Sequence, residues 1–145
     1  MYLMNSISKT VFYILSYTWG LPMTLVGHLV ELVMFLFSHP SRRYVCCREI
    51  VVGHGWGGCT VGRTILRADD AESVLPHEHG HAVQNCFFGI FLPFIVCIPS
   101  ASRYWYREFM KRTGKGGKLP PYDSIWFEGQ ATHLGRGFVS RVGKQ

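Results

Sequence analysis

From Val11 to Phe37 the chain carries no lysine or arginine and a single formal charge, Glu31. As one helix this run would measure about 40 Å, more than the hydrocarbon thickness of a bilayer. Gly20-Leu21-Pro22 divides it. The pattern predicts a spanning helix over residues 21–37 with Pro22 in its first turn, preceded over residues 10–20 by an aromatic interfacial segment containing Tyr13, Tyr17 and Trp19. One continuous, kinked and tilted helix is the alternative. A secretory signal fits less well, because the run is long, has no small-x-small cleavage site and ends in His39-Pro40-Ser41-Arg42-Arg43.

With 145 residues the chain has room for one compact domain beside that segment. The expected division is a membrane anchor over residues 1–40 and a folded domain over 41–145. The formal charge of +6 comes largely from Arg42, Arg43 and Arg48, from the stretch between Arg103 and Lys118, and from Arg136, Arg141 and Lys144. Beside an apolar segment, such charge suits anionic lipid headgroups. No nucleic-acid-binding pattern accompanies it, so no nucleic-acid partner is expected. Arg42, Arg43 and Arg48 follow the span while Lys9 precedes it, which by the positive-inside rule makes the protein single-pass with a cytoplasmic domain. The five cysteines are odd in number and include the neighbours Cys46 and Cys47; they do not form a disulfide framework, and none has zinc-knuckle spacing.

Gly20, Thr24, His28 and Glu31 share one helical stripe. Such a polar stripe should avoid lipid by packing against the folded domain or against a second copy; the other reading leaves Glu31 solvated at an interface.

Past residue 40, the stretches 44–52 and 59–67 are rich in Val, Ile, Thr, Tyr and Cys and flank the glycine-rich segment 53–58, which predicts a β-hairpin. Asp70, Glu72 and Ser73 suit a helix entry with Pro76 in the first turn, and Gly89 should end that helix. The apolar run 87–98 is too short to span a bilayer and reads as core or as an interfacial or re-entrant segment. A helix capped by Ser100 should extend to Arg112, and a last one should run from Ser124 to Leu134, capped by Asp123 or Ser124 and stopped by Gly135. The fold class expected is α+β.

His77-Glu78-His79-Gly80-His81 is an H-E-x-x-H motif. On a helix His77 and His81 lie one turn apart on one face, where both imidazoles can reach one metal, and Glu78 is rotated aside as a general base requires. Glu128, downstream in Trp126-Phe127-Glu128-Gly129-Gln130-Ala131-Thr132, supplies a third ligand. Two histidines and a carboxylate leave a fourth position open, as catalytic zinc requires. His133 is the alternative third ligand. Asp123 has two readings, a helix cap or a group that orients a ligand histidine. His79, His54 and His39 read as exposed.

His77-Glu78-x-x-His81-Ala82-Val83 resembles the active-site helix of thermolysin-type enzymes, and Glu128 followed by Ala131 resembles their third-ligand helix. Together they look like the gluzincin group of zincin metallopeptidases. The strings 76–84 and 121–132 also look like those of small bacterial membrane-associated zincin-like proteins. The resemblance implies a minimal zincin-like domain in which the 59–67 strand forms the edge beside an extended peptide substrate. It implies Zn2+-dependent hydrolysis of peptide bonds, with Glu78 as general base and His133, Tyr122 or Tyr104 as the group stabilising the oxyanion. The alternative function is a zinc-binding membrane protein without turnover, with a structural or interaction role.

Overall fold

The structure, a computed structural model, describes residues 2–142, with side chains from residue 8 onward; Lys144 lies outside the described residues. It is an α+β fold of five α-helices and a mixed four-stranded sheet. The helices are α1 (Tyr2–Tyr17), α2 (Leu21–Leu36), α3 (Leu75–Phe88), α4 (Ile98–Arg112) and α5 (Trp126–Val142). The strands are β1 (Arg42–Tyr44), β2 (Cys47–Val51), β3 (Gly58–Val61) and β4 (Thr64–Arg67).

The apolar N-terminal run is two helices, bent by 88° at the break before Leu21. At 16 residues α2 is about 24 Å long. Among the described residues no single helix is long and apolar enough to cross a membrane, which corrects the expected span over 21–37. The aromatic segment before it is the end of α1 and the turn over residues 18–20. Trp19 stacks edge-on against Phe91 at 6.0 Å and donates its indole N–H to the Phe87 carbonyl at 3.1 Å.

The Gly20, Thr24, His28, Glu31 stripe faces the chain's own interior. Asn85 of α3 donates to the Gly20 carbonyl at 3.1 Å, the Thr24 hydroxyl to the Ser16 carbonyl at 2.9 Å, and Arg48 to Glu31 at 3.0 Å. Glu31 also accepts from Ser41. Self-association through this stripe would require breaking those contacts.

The sheet differs from the expected hairpin. Strand order is β1-β2-β4-β3, with β2 and β4 parallel, so the glycine-rich segment is a connection across the sheet rather than a turn between neighbours. The true hairpins are β1–β2 and β3–β4, the latter turning at Gly62-Arg63, where Gly62 takes a φ of 60°. Of the two strands within the 59–67 stretch, β3 is at an edge of the sheet and β4 lies inside it, with β1 forming the other edge.

Gly89 ends α3 at a φ of 51°. The 3-10 turn Glu72–Val74 leads into this helix without a side-chain cap. Beyond Gly89, residues Pro93–Cys97 form a π-helical turn that feeds directly into α4, which has Pro99 in its first turn and no cap from Ser100. Helix α5 runs past Gly135 to Val142, because Leu134, Phe138 and Val142 continue its apolar face into the core. That core unites Phe12 of α1 with Cys46, Cys47 and Ile65 of the sheet region, Leu75, Ala82, Val83 and Cys86 of α3, and Val142 of α5. A smaller cluster of Leu92, Val96 and Phe127 takes in Met23 of α2. The change of composition at residue 40 is thus not a boundary in the packing.

Candidate metal centre

Helices α3 and α5 pack backbone to backbone. A Cβ on Gly80 would stand 1.9 Å from the Ala131 carbonyl oxygen, and one on Gly135 would stand 1.7 Å from that of Pro76. Only hydrogen fits at either place. This approach lets the short side chain of Glu128, on α5, reach His77 and His81 on α3: its Oε2 lies 3.1 Å from His77 Nε2 and 3.3 Å from His81 Nε2. The ligand atoms of the three residues all lie within 4.8 Å of one another. Nitrogen and oxygen donors placed tetrahedrally at zinc's bond lengths stand roughly 3.4 Å apart, so the donor set suits zinc.

The other ring nitrogens settle which atoms are free. The Thr132 hydroxyl donates to Asp123 Oδ2 at 2.8 Å, leaving its oxygen to accept from His77 Nδ1 at 2.8 Å. The Gln84 amide group donates to the Phe127 carbonyl at 2.8 Å and to Gln130 at 2.9 Å, leaving its oxygen to accept from His81 Nδ1 at 2.8 Å. Both histidines therefore carry the proton on Nδ1 and turn an Nε2 lone pair toward Glu128, the tautomer a metal ligand needs. The second oxygen of Glu128 accepts from Ser100 at 2.5 Å.

Glu128 has no solvent exposure. Burial pushes its carboxyl up, but the close approach of His77 and His81 and the hydroxyl of Ser100 outweigh that and hold it well below the usual carboxylate range. Glu78, also buried, is pushed up chiefly by burial, against the pull of His81 and a 2.7 Å hydrogen bond from Thr60. For His81 the downward push of burial is outweighed by Glu128 and Glu78, and its pKa is raised. Two buried acidic side chains beside two histidines thus suit a cation.

The centre opens on a cavity of about 850 Å3. Gly58, Cys59 and Thr60 of β3 line one side, and Val96, Ser100 and Tyr104 the other. Tyr122 also lines it, with its ring 6.3 Å from that of His77 and its hydroxyl 3.4 Å from Ser100 Oγ. His133 is exposed, lines a separate shallow depression and is not among the residues brought together at the centre. Asp123 accepts from Thr132, whose hydroxyl oxygen meets His77 Nδ1, so it bears on His77 through Thr132.

His79 departs from its expected exposure. It is fully buried, stacked on Phe12 and Phe138 at 5.6 and 5.0 Å, because α1 covers the side of α3 that faces away from the ligands. Neither of its ring nitrogens has a hydrogen-bond partner among the described residues. Sequence reading also missed Thr132, Gln84, Ser100 and Thr60. For the first two a signal exists: Thr132 follows Glu128 by four residues, and Gln84 follows His81 by three, so each shares its ligand's face.

Comparison with protein-family models, with curated proteins and with solved structures finds no match to this chain.

Proposed function

We propose that this protein is a zinc-dependent peptidase of the gluzincin kind, held against a membrane by its N-terminal helices. The observation that carries the reading is the pair of Nδ1 hydrogen bonds, from His77 to Thr132 and from His81 to Gln84, which turn both Nε2 atoms toward Glu128 beside an open cavity. A closed structural site would have a fourth protein ligand in place of that opening.

His77, His81 and Glu128 would hold the ion, which would supply Lewis acidity for activating water and polarising a carbonyl. Glu78, on the cavity wall, accepts a proton from the attacking water and returns it to the leaving amine, and burial keeps its basicity suited to both transfers. Thr60 orients that carboxylate. Tyr122 supports the reading as a hydroxyl donor for charge developing on the carbonyl oxygen. β3, an edge strand that lines the cavity, supports the reading as the element beside which an extended peptide would lie.

Membrane contact is supported by Leu25, Leu29, Leu32 and Leu36, an exposed stripe along α2, with Arg42 and Arg43 exposed just beyond it. Those arginines and the free cysteines favour the cytoplasmic face. The test is hydrolysis of a fluorogenic peptide library by the zinc-loaded protein on vesicles. Glu78→Gln should keep zinc and lower kcat at least about 100-fold. Zinc binding without turnover by wild type, across the library, would favour the structural alternative.

A further inference from the structure

The segment between α3 and α4 has two faces. Leu92 and Val96 point inward, each 2% exposed, and both line the cavity. Between and beyond them Phe94, Ile98, Trp105 and Phe109 are 70%, 56%, 66% and 63% exposed. On α4, Ile98, Ala101, Trp105 and Phe109 follow helical spacing along one stripe, while Arg103 and Arg107 turn away to donate to the carbonyls of Pro121 and Pro120. The outward apolar surface meets that of the N-terminal helices where Trp19 stacks on Phe91. Large apolar side chains exposed together along one stripe mark a surface that meets a membrane or a partner.

We infer that the outer face of this cavity wall, Phe94, Ile98, Trp105 and Phe109, docks on an anionic lipid bilayer, so that the cavity mouth opens at the lipid surface. This goes beyond anchoring by α1 and α2, and its meaning for substrate entry rests on the peptidase reading of the cavity. Charge selects the occupant. Arg112, Lys115 and Lys118 are exposed directly after the apolar stripe, where headgroup phosphates would lie. A second copy would bring another +6 against the same surface. Trp105 belongs both to the exposed stripe and to the cavity lining, so the side chain that enters lipid also borders the opening.

The full chain is mixed with vesicles of phosphatidylcholine and phosphatidylglycerol, with or without brominated acyl chains, and the tryptophan emission lost in Trp105→Phe is taken as the Trp105 signal. Co-flotation of protein with vesicles reports anchoring separately. The expected result is flotation, with the Trp105 signal reduced by about half or more in brominated lipid, as for an indole at the headgroup–acyl boundary. Flotation with Trp105 quenched by aqueous iodide and not by brominated chains would overturn the inference and leave the N-terminal anchor standing. Quenching by neither agent would mean that protein, in the form of a second copy, covers the face, and would also overturn it. Failure to float would overturn both the inference and the anchor, without bearing on the peptidase reading.

Discussion

His79 sits between the two ligand histidines in sequence and on the other side of the helix in space. Burial in an aromatic stack pushes its pKa down to about 4, from an ordinary value of 6.5. A histidine whose pKa is depressed on folding favours the folded state above its unfolded pKa, and that contribution is lost as pH falls through the window from 6.5 to about 4. Up to about 3 kcal/mol is at stake across that window. Urea denaturation at several pH values should therefore show stability falling below pH 6.5 in wild type and a shallower fall in His79→Phe. Because both imidazole nitrogens lack partners among the described residues, the phenylalanine should cost little or be stabilising at pH 7. An unchanged slope would contradict the buried neutral imidazole. At this scale the shared face of His77 and His81 was legible, since one-turn spacing on a helix is a local property, while the approach of Glu128 depends on how α5 packs on α3. The burial of His79 was not, because it depends on which distant element covers the far side of α3.

Between elements, the contact that matters most is that of α3 with α5. Gly80→Ala and Gly135→Ala would each set a methyl group against a backbone oxygen, at 1.9 and 1.7 Å, which no rotamer can relieve. The helices would have to separate, and Glu128 would be drawn from the histidines. Each substitution should destabilise by roughly 1–3 kcal/mol or more and lower zinc affinity as well. Gly137→Ala is the control, with nothing near its Cβ. Thermal melts and zinc titrations of the three variants check this; Gly80→Ala or Gly135→Ala behaving like the control would contradict the close packing. The sequence pattern located α3 and its stop at Gly89, where periodicity and a local φ requirement coincide. It misplaced the end of α5, because Gly135 serves a neighbouring helix rather than a helix terminus. It also misread the sheet, because adjacency in sequence suggested a hairpin where β4 pairs in parallel with β2.

For the whole molecule, the N-terminal helices are structural. Phe12 is in the main core, Ser16 and Thr24 are buried, and Arg63 reaches across from the β3–β4 turn to place its guanidinium 4.5 Å above the Tyr13 ring. A chain beginning at residue 40 would leave His79 and Asn85 uncovered and should show no cooperative thermal transition in detergent. The point variant Phe12→Ala should cost about 3–5 kcal/mol. A truncated chain that still melted cooperatively would show the two parts to be independent. Composition alone made residue 40 look like a domain boundary, since charge and hydropathy both change there; packing is set by which faces meet, and the polar stripe of α2 meets α3 and the sheet.

The metal centre can be read out from the zinc content, by mass spectrometry, of the detergent-purified full chain. One zinc ion per chain is expected in wild type and in Glu78→Gln, loss in His77→Ala and Glu128→Ala, and an affinity about 10–100-fold weaker in Gln84→Ala, whose side chain orients His81 and ties α3 to Phe127 and Gln130 of α5. Absence of zinc from reconstituted wild type, or equal zinc content in wild type and Glu128→Ala, would contradict the metal centre.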